Sequence, residues 1–478
     1  MKHVALVSVL VGGLSLALLA QGPTSVVQAA ADTMGVAMLQ SIQYSGSGSA
    51  FPIGQAASPG GPWPRFELSK YVASVDYATT AMREETVRRD VDRPPRGGGA
   101  GPFIAATGQG GMRPIPGDVV QTIVRDGRTE AGLVQIWMTP HGFLKAAPPN
   151  AVVTPVRVDG RTLQAVSFGT GDRRLTGYIN DQHLLERIAT VAPHPLLGDM
   201  SVEALFLDYK DFAGVKFPAR IVQRQGGHPT LDVTIADVRT NTGTVGLAGT
   251  GGRGPAPAPS VKTDLEKIAD GVWFLTGGAP MSVLVEFSDH VVVIEAPQDD
   301  ARTEATIAAV KRAMPTKPIR YVVNTHHHFD HSGGLRGYVA EGIPILTHEK
   351  NKAYFEQILR SPFTLEPDRL ARSPRPPVIE TVGAKRVLRD DSMTMEVYLL
   401  QGNLHAETLL AAYLPKQKLL VQADAFHPRP GAAPLASPPP FTVNLVENIR
   451  RLKLDVERVV HVHGGIDPIA AVVKAAGG

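Results

Sequence analysis

Between Thr325 and Gly334 the chain reads Thr-His-His-His-Phe-Asp-His-Ser-Gly-Gly. Imidazole nitrogens and carboxylate oxygens are the ligands that zinc and other divalent transition ions accept. Counted from His326, histidine, histidine, aspartate and histidine stand at positions 1, 3, 5 and 6 of one short segment. Alternate side chains of an extended segment point the same way, so His326 and His328 can grip one ion together. Asp330 and His331, where the chain turns toward the next helix, can reach a second ion beside the first. His327 is expected to point away. Gly333 and Gly334 allow a tight turn and close packing of backbone on the site.

Composition narrows the ligand chemistry further. The chain holds fifteen histidines and no cysteine. That excludes a disulfide framework, a thiolate zinc finger, a cysteine nucleophile and a lipid-modified cysteine. Any metal site must therefore use histidine and carboxylate. With 478 residues, 43% hydrophobic and 19% charged, the chain fits two or three globular domains. Its 48 glycines and 39 prolines require abundant turns and loops. A net charge of +3 is too small for a nucleic-acid footprint. The expected partner is a small-molecule substrate, with no nucleic acid.

The elements around the motif fall into two halves. Residues 1–31 read as a secretory signal: Lys2 is followed by apolar sequence from Val4 to Ala20, then by Gln28-Ala29-Ala30-Ala31 as small residues for cleavage. The rival reading is an uncleaved anchor, which Gly12 and Gly13 disfavour by breaking the apolar run. The expectation is a secreted or periplasmic protein with no stable membrane anchor once the signal is removed. Residues 248–262, opening AGTGGRGPAPAPS, have linker composition. They separate a unit at 32–247 from one at 263–478.

The first unit reads as mainly antiparallel β. Residues 204–210, 215–223 and 230–238 are strand-like, with turns at Ala213-Gly214 and Gly226-Gly227. Leu184, Leu185, Ile188 and Val191 have helical spacing, which predicts a helix over 181–191. His141, His183, His194 and His228 are isolated, and a lone histidine is more often a surface or satisfied core residue. The second unit alternates strands (291–295, 319–324, 393–400, 408–414, 418–422, 458–462) with helices after Asp299-Asp300 and over 349–359 and 443–452. That alternation implies a layered α/β sheet with ligand sites at strand ends.

HHHFDHSGG resembles the metallo-β-lactamase superfamily signature, His-x-His-x-Asp-His, and the second unit resembles that domain throughout. The resemblance implies an αββα sandwich and a hydrolase. It also implies further ligands: His405 in Gly-Asn-Leu-His, Asp424 in LVQADAF and His463 in VVHVHGG. His461 competes with His463, but it lies inside the apolar strand, and the His463-Gly464 pair favours His463. One ion would then be held by His326, His328 and His405, a second by Asp330, His331 and His463, with Asp424 bridging both. The implied ions are zinc, with iron or manganese as alternatives. Three neutral imidazoles leave zinc an open position for water, whose pKa falls to ~7 there. Asp330 would orient the resulting hydroxide and pass a proton to the leaving group.

Two departures from the family pattern stand out. Glu295, in Ile-Glu-Ala-Pro, stands where the family often has Asp, and can orient a ligand histidine. Asp424 stands where one group of zinc β-lactamases has Cys, so the bridge looks more like the thioesterase, lactonase and phosphodiesterase branches. The implied reaction is cleavage of an ester, thioester, lactone or cyclic amide. Zinc β-lactamase activity is an alternative, as is a lipid- or lipoprotein-binding protein with an accessory metal domain. The second alternative follows from the first unit, whose layout resembles lipoprotein-carrier half-barrels, while DYKDFAGVKFPARIVQRQGG is similar to the N-terminal regions of some exported metallo-hydrolases. Residues 361–377, with Arg369, Arg372 and Arg375, and 427–441, with Arg429, are expected at the edge of the site, with His348 and His427 as further pocket candidates.

Overall fold

The chain reverses where its turn residues sit. Ala213 (φ 53°) and Gly214 (φ 87°) join strand Gly198–Phe212 to Val215–Gln225, and Gly226 and Gly227 join that strand to His228–Thr240. These are three of eleven strands in one antiparallel sheet. Numbered along the chain, they lie in the order 4-3-2-1-11-10-9-8-7-6-5. Helices Glu130–Trp137 and Pro140–Ala146, each capped by a threonine hydroxyl, pack on it. The computed structural model describes residues 23–91, 119–127, 129–170, 173–243, 261–427 and 438–478. Most of the expected signal and most of the expected linker lie outside those residues.

One expectation for this first unit fails. The helix predicted over 181–191 is a turn followed by strand Leu185–His194. The Asn180 side chain accepts from the amides of Gln182 and Leu184 and closes that turn. Ile188, Thr190 and Val191 then favour extended backbone, and pairing of Arg187 to His194 against Gly198 to Leu205 overrides the helical spacing. Residues 29–31 lie in helix Pro23–Met34, whose Val26, Ala30 and Met34 are buried in the first core. The same alanines that suit a protease subsite are good helix formers. No helix among the described residues is long and apolar enough to cross a membrane.

In the second half, strands twelve to eighteen form a seven-stranded sheet and nineteen to twenty-four a six-stranded one, each in chain order. Period-two alternation divides the first sheet between two cores. Val283, Val285, Val292 and Ile294 face the other sheet's Val397, Ala412, Val421 and Val460. Leu284, Val293 and Val322 face the outer helices through Ile307, Val310, Val339 and Phe355. Helices Pro440–Arg451 and Ile469–Ala475 cover the second sheet through Leu445, Ile449 and Val472. The result is the expected αββα sandwich, preceded by a mainly antiparallel β unit. The outer core also takes in Ile53, Ala56 and Trp63 from the loop of residues 51–65 in the first unit.

Candidate metal centre

Strands Val291–Ile294, Ile319–Val323 and Ile345–His348 run parallel, so their carboxyl ends share one edge. The motif leaves that edge after Ile319–Val323 and enters the short helix Phe329–Ser332. Its backbone is tied down on several sides. Asn324 Nδ2 donates to the His331 carbonyl (3.1 Å), Ser332 Oγ to the His328 carbonyl (2.7 Å), and the Leu410 amide to the Thr325 carbonyl (2.9 Å). Gly333 and Gly334 serve close approach alone. Both have ordinary helical φ, but a Cβ would come within 1.9 Å of the Gln298 carbonyl at Gly333 and 2.3 Å of Thr303 Oγ1 at Gly334.

All seven sequence candidates converge at this edge, in two groups. His326, His328, His405 and Asp424 form one, and Asp330, His331, Asp424 and His463 the other; within each, one ligand atom per residue lies within 4.8 Å of the rest. Asp424 belongs to both. Its Oδ2 is 3.3 Å from His326 Nε2, 3.0 Å from His331 Nε2 and 2.9 Å from His405 Nε2, while Oδ1 is 2.7 Å from His463 Nε2. His331 Nε2 and His463 Nε2 face each other at 3.1 Å. His326 Nε2 and His328 Nδ1 are buried with no hydrogen-bond partner among the described residues. Converging bare imidazole nitrogens and carboxylate oxygens fit a pair of divalent ions.

The other nitrogen of His326 and of His331 is held from behind, which fixes which nitrogen faces the cluster. Thr325 Oγ1 is 3.0 Å from His326 Nδ1, and Glu295 Oε2 is 3.3 Å from His331 Nδ1. Glu295 thus contacts a ligand histidine from the strand end where the family often has Asp. It holds a left-handed conformation (φ 78°), a strain such sites commonly carry. Asn403 Oδ1 accepts from the His405 amide at 3.0 Å. Gln422 accepts from the amides of Ala425 and Phe426 and so shapes the turn that presents Asp424. His461 is buried behind this turn, bonded to Gln422 Nε2 (2.8 Å) and close to Asp467 Oδ2 (3.1 Å), outside both groups. His327 also points away from them, with Nε2 donating to the Ala56 carbonyl (2.9 Å) and Nδ1 at 3.1 Å from Thr408 Oγ1.

Electrostatics separate the histidines. Burial, with His331 nearby, pushes His326 down to about 3, and burial holds His328 well below its ordinary value, so both are neutral ligands. His331 is the opposite case. Burial alone would depress it, but the carboxylates of Asp424, Asp330 and Glu295 outweigh burial and raise it well above its usual range. Asp424 is likewise driven well down despite burial, by His331, His463 and His405. The cluster has an excess of carboxylate charge that a cation would satisfy.

Several residues here were not read from the sequence. Gln55 Nε2 donates to Asp330 Oδ1 at 2.9 Å, and the Ala56 carbonyl lies 2.8 Å from His328 Nε2. A lone glutamine and a backbone carbonyl carry no sequence signal. His427 is at the edge of the site, 3.4 Å from Asp424 Oδ1. His348 instead accepts from the Lys350 amide and caps a helical turn. Arg369 is committed to Asp300 and Glu341, and Arg372 to the Pro367 carbonyl. Arg429 lies outside the described residues.

Residues 275–463 match the family model described as the metallo-beta-lactamase superfamily. A stretch of 175 residues, 36% of this chain, is 25% identical to the 2,4-dinitroanisole O-demethylase subunit alpha of Nocardioides sp. (strain JS1661); the chain spans about half (49%) of that relative's length. Similar solved structures include a metallo-beta-lactamase from Pontibacter korlensis (20% identity, TM-score 0.34, 45% of this chain and 98% of that one). Another is a metallo-beta-lactamase from Hirschia baltica (20% identity, TM-score 0.34, 45% of this chain and 96% of that one). The family match and the ligand cluster fall on the same stretch of chain. Its C-terminal region is a domain of the metallo-β-lactamase superfamily.

Proposed function

We propose that the protein uses two divalent ions, zinc in the first instance, to hydrolyse a carbonyl-centred bond: an ester, thioester, lactone or cyclic amide. The observation that carries this reading is the pair of ligand groups sharing Asp424. Two ions at these groups would supply a water activated near neutral pH and a Lewis acid for the substrate carbonyl. His326, His328 and His405 provide neutral ligands on one side, and Asp330, His331 and His463 complete the other. Asp330 would orient that water and carry its proton to the leaving group. Asp424 would serve both groups, since its carboxylate belongs to each.

The test is a hydrolysis screen with metal-loaded protein across lactone, thioester, ester, β-lactam and phosphodiester substrates, with metal content measured alongside. Similarity to a 2,4-dinitroanisole O-demethylase subunit adds an activated aryl methyl ether to the panel. Chelation and His328→Ala should each abolish turnover; activity surviving both sinks the reading. Opening of a β-lactam as the preferred reaction would make this a zinc β-lactamase. Bound lipid with no hydrolysis would favour the lipid-binding alternative. We also infer export, from the apolar run after Lys2. N-terminal sequencing of protein recovered outside the cytoplasm tests it, and retention in the cytoplasm would refute it.

A further inference from the structure

We propose that the first unit supplies positioning residues of the metal centre itself, through Gln55 and the Ala56 carbonyl on the loop of residues 51–65. The inference rests on the two-ion reading above. The Ala56 carbonyl lies 2.8 Å from His328 Nε2 and 2.9 Å from His327 Nε2. A carbonyl only accepts, so both Nε2 atoms carry hydrogen. In a neutral imidazole that leaves His328 Nδ1 bare, and Nδ1 is buried with no hydrogen-bond partner among the described residues, free to serve as the ligand atom. The backbone of another domain therefore selects the tautomer this ligand needs. Gln55, 4% exposed, donates to Asp330 Oδ1 at 2.9 Å. That leaves Oδ2 as the oxygen nearer His331 Nε2, at 3.5 Å.

The loop is held closely enough to do this. Gly54 has φ +72°, and a Cβ there would lie 2.2 Å from the ring of Phe329, the residue between His328 and Asp330. The Ala57 carbonyl accepts from the Glu407 amide at 2.9 Å, two residues beyond His405. Trp63 meets Phe329 edge-on at 6.5 Å and stacks on His228 of the first unit at 4.8 Å. The loop thus touches the two segments that carry the three histidines of the first group. Outer partners of this kind are commonly worth ~10–100-fold in metal affinity.

The experiment is a titration of the full-length protein with cobalt(II) against a competing chelator, read by affinity and by the visible spectrum of the bound ion. Gln55→Met keeps the length of the side chain and removes its donor. Gly54→Ala displaces the loop without altering a contacting residue. Asp199→Ala loosens the seam elsewhere, where its carboxylate accepts from Thr364 and Leu365. Both loop variants should bind about 10-fold more weakly or worse, with an altered spectrum, and Asp199→Ala should keep the wild-type spectrum. Wild-type affinity and spectrum in both loop variants, or the same change in Asp199→Ala, would overturn the proposal. A wild type that binds two ions yet hydrolyses nothing refutes the hydrolase reading alone, because this measurement does not use turnover.

Discussion

Glu295 Oε2 lies 3.3 Å from His331 Nδ1, with both side chains fully buried. A carboxylate behind an imidazole fixes its tautomer and makes the opposite nitrogen a better ligand. Glu295→Ala should weaken the second ion by ~10–100-fold while sparing the first. Elemental analysis after dialysis against a weak chelator checks this; equal retention of both ions would show that the contact does no work on the metal.

His461 and His463 stand two residues apart with different surroundings. His463→Ala should reduce the bound metal from two ions to one. His461→Ala should keep both ions but lose roughly 1–3 kcal/mol of stability, because Gln422 and Asp467 lose a partner. Metal stoichiometry with thermal melting separates the two variants, and the reverse pattern would exchange their roles.

Glu84 gives the first unit a pH dependence. It is buried, and burial pushes its carboxyl up to about 8, only partly offset by Arg125 and the Tyr71 hydroxyl; Tyr44 faces the same pocket. The unfolded chain releases this proton near the ordinary value of 4.5, whereas the folded state keeps it until about 8. Below the lower value both states are protonated and the stability is fully present. It then falls as pH rises through the window and flattens above it. Glu84→Gln should remove that slope and stabilise the protein at alkaline pH. Denaturation curves recorded across the window decide the matter, since parallel curves for the two proteins would contradict it.

Arg336 is 3% exposed, bonded to Asp368 (Nη2 to Oδ1, 3.0 Å) and to the Leu359 carbonyl (2.7 Å), with its guanidinium 3.5 Å from the centre of the Phe363 ring. Arg336→Ala leaves a largely buried carboxylate without its counter-charge and should cost about 3–5 kcal/mol. Metal content should be unchanged. A shift in denaturation midpoint within error of zero would contradict the assignment.

The parts legible in the sequence were those with local cause. The spacing of His326, His328, Asp330 and His331 follows from an extended loop entering a helix, and the turns at Ala213-Gly214 and Gly226-Gly227 follow from backbone preference. Leu185–His194 misled because its helical spacing was outweighed by pairing with a strand that its own turn brings alongside. Gln55 and Ala56 were invisible for a different reason. They act on residues 271 to 275 positions away, and one of them acts through its backbone.

That separation bears on how the protein matures. Closing so long a loop costs little more entropy than closing a shorter one, but it takes two folded bodies to meet. The surroundings of His328 are complete only with the loop between Ala50 and Phe66 docked on the second unit. Without that docking, nothing from the first unit would set the tautomer of His328.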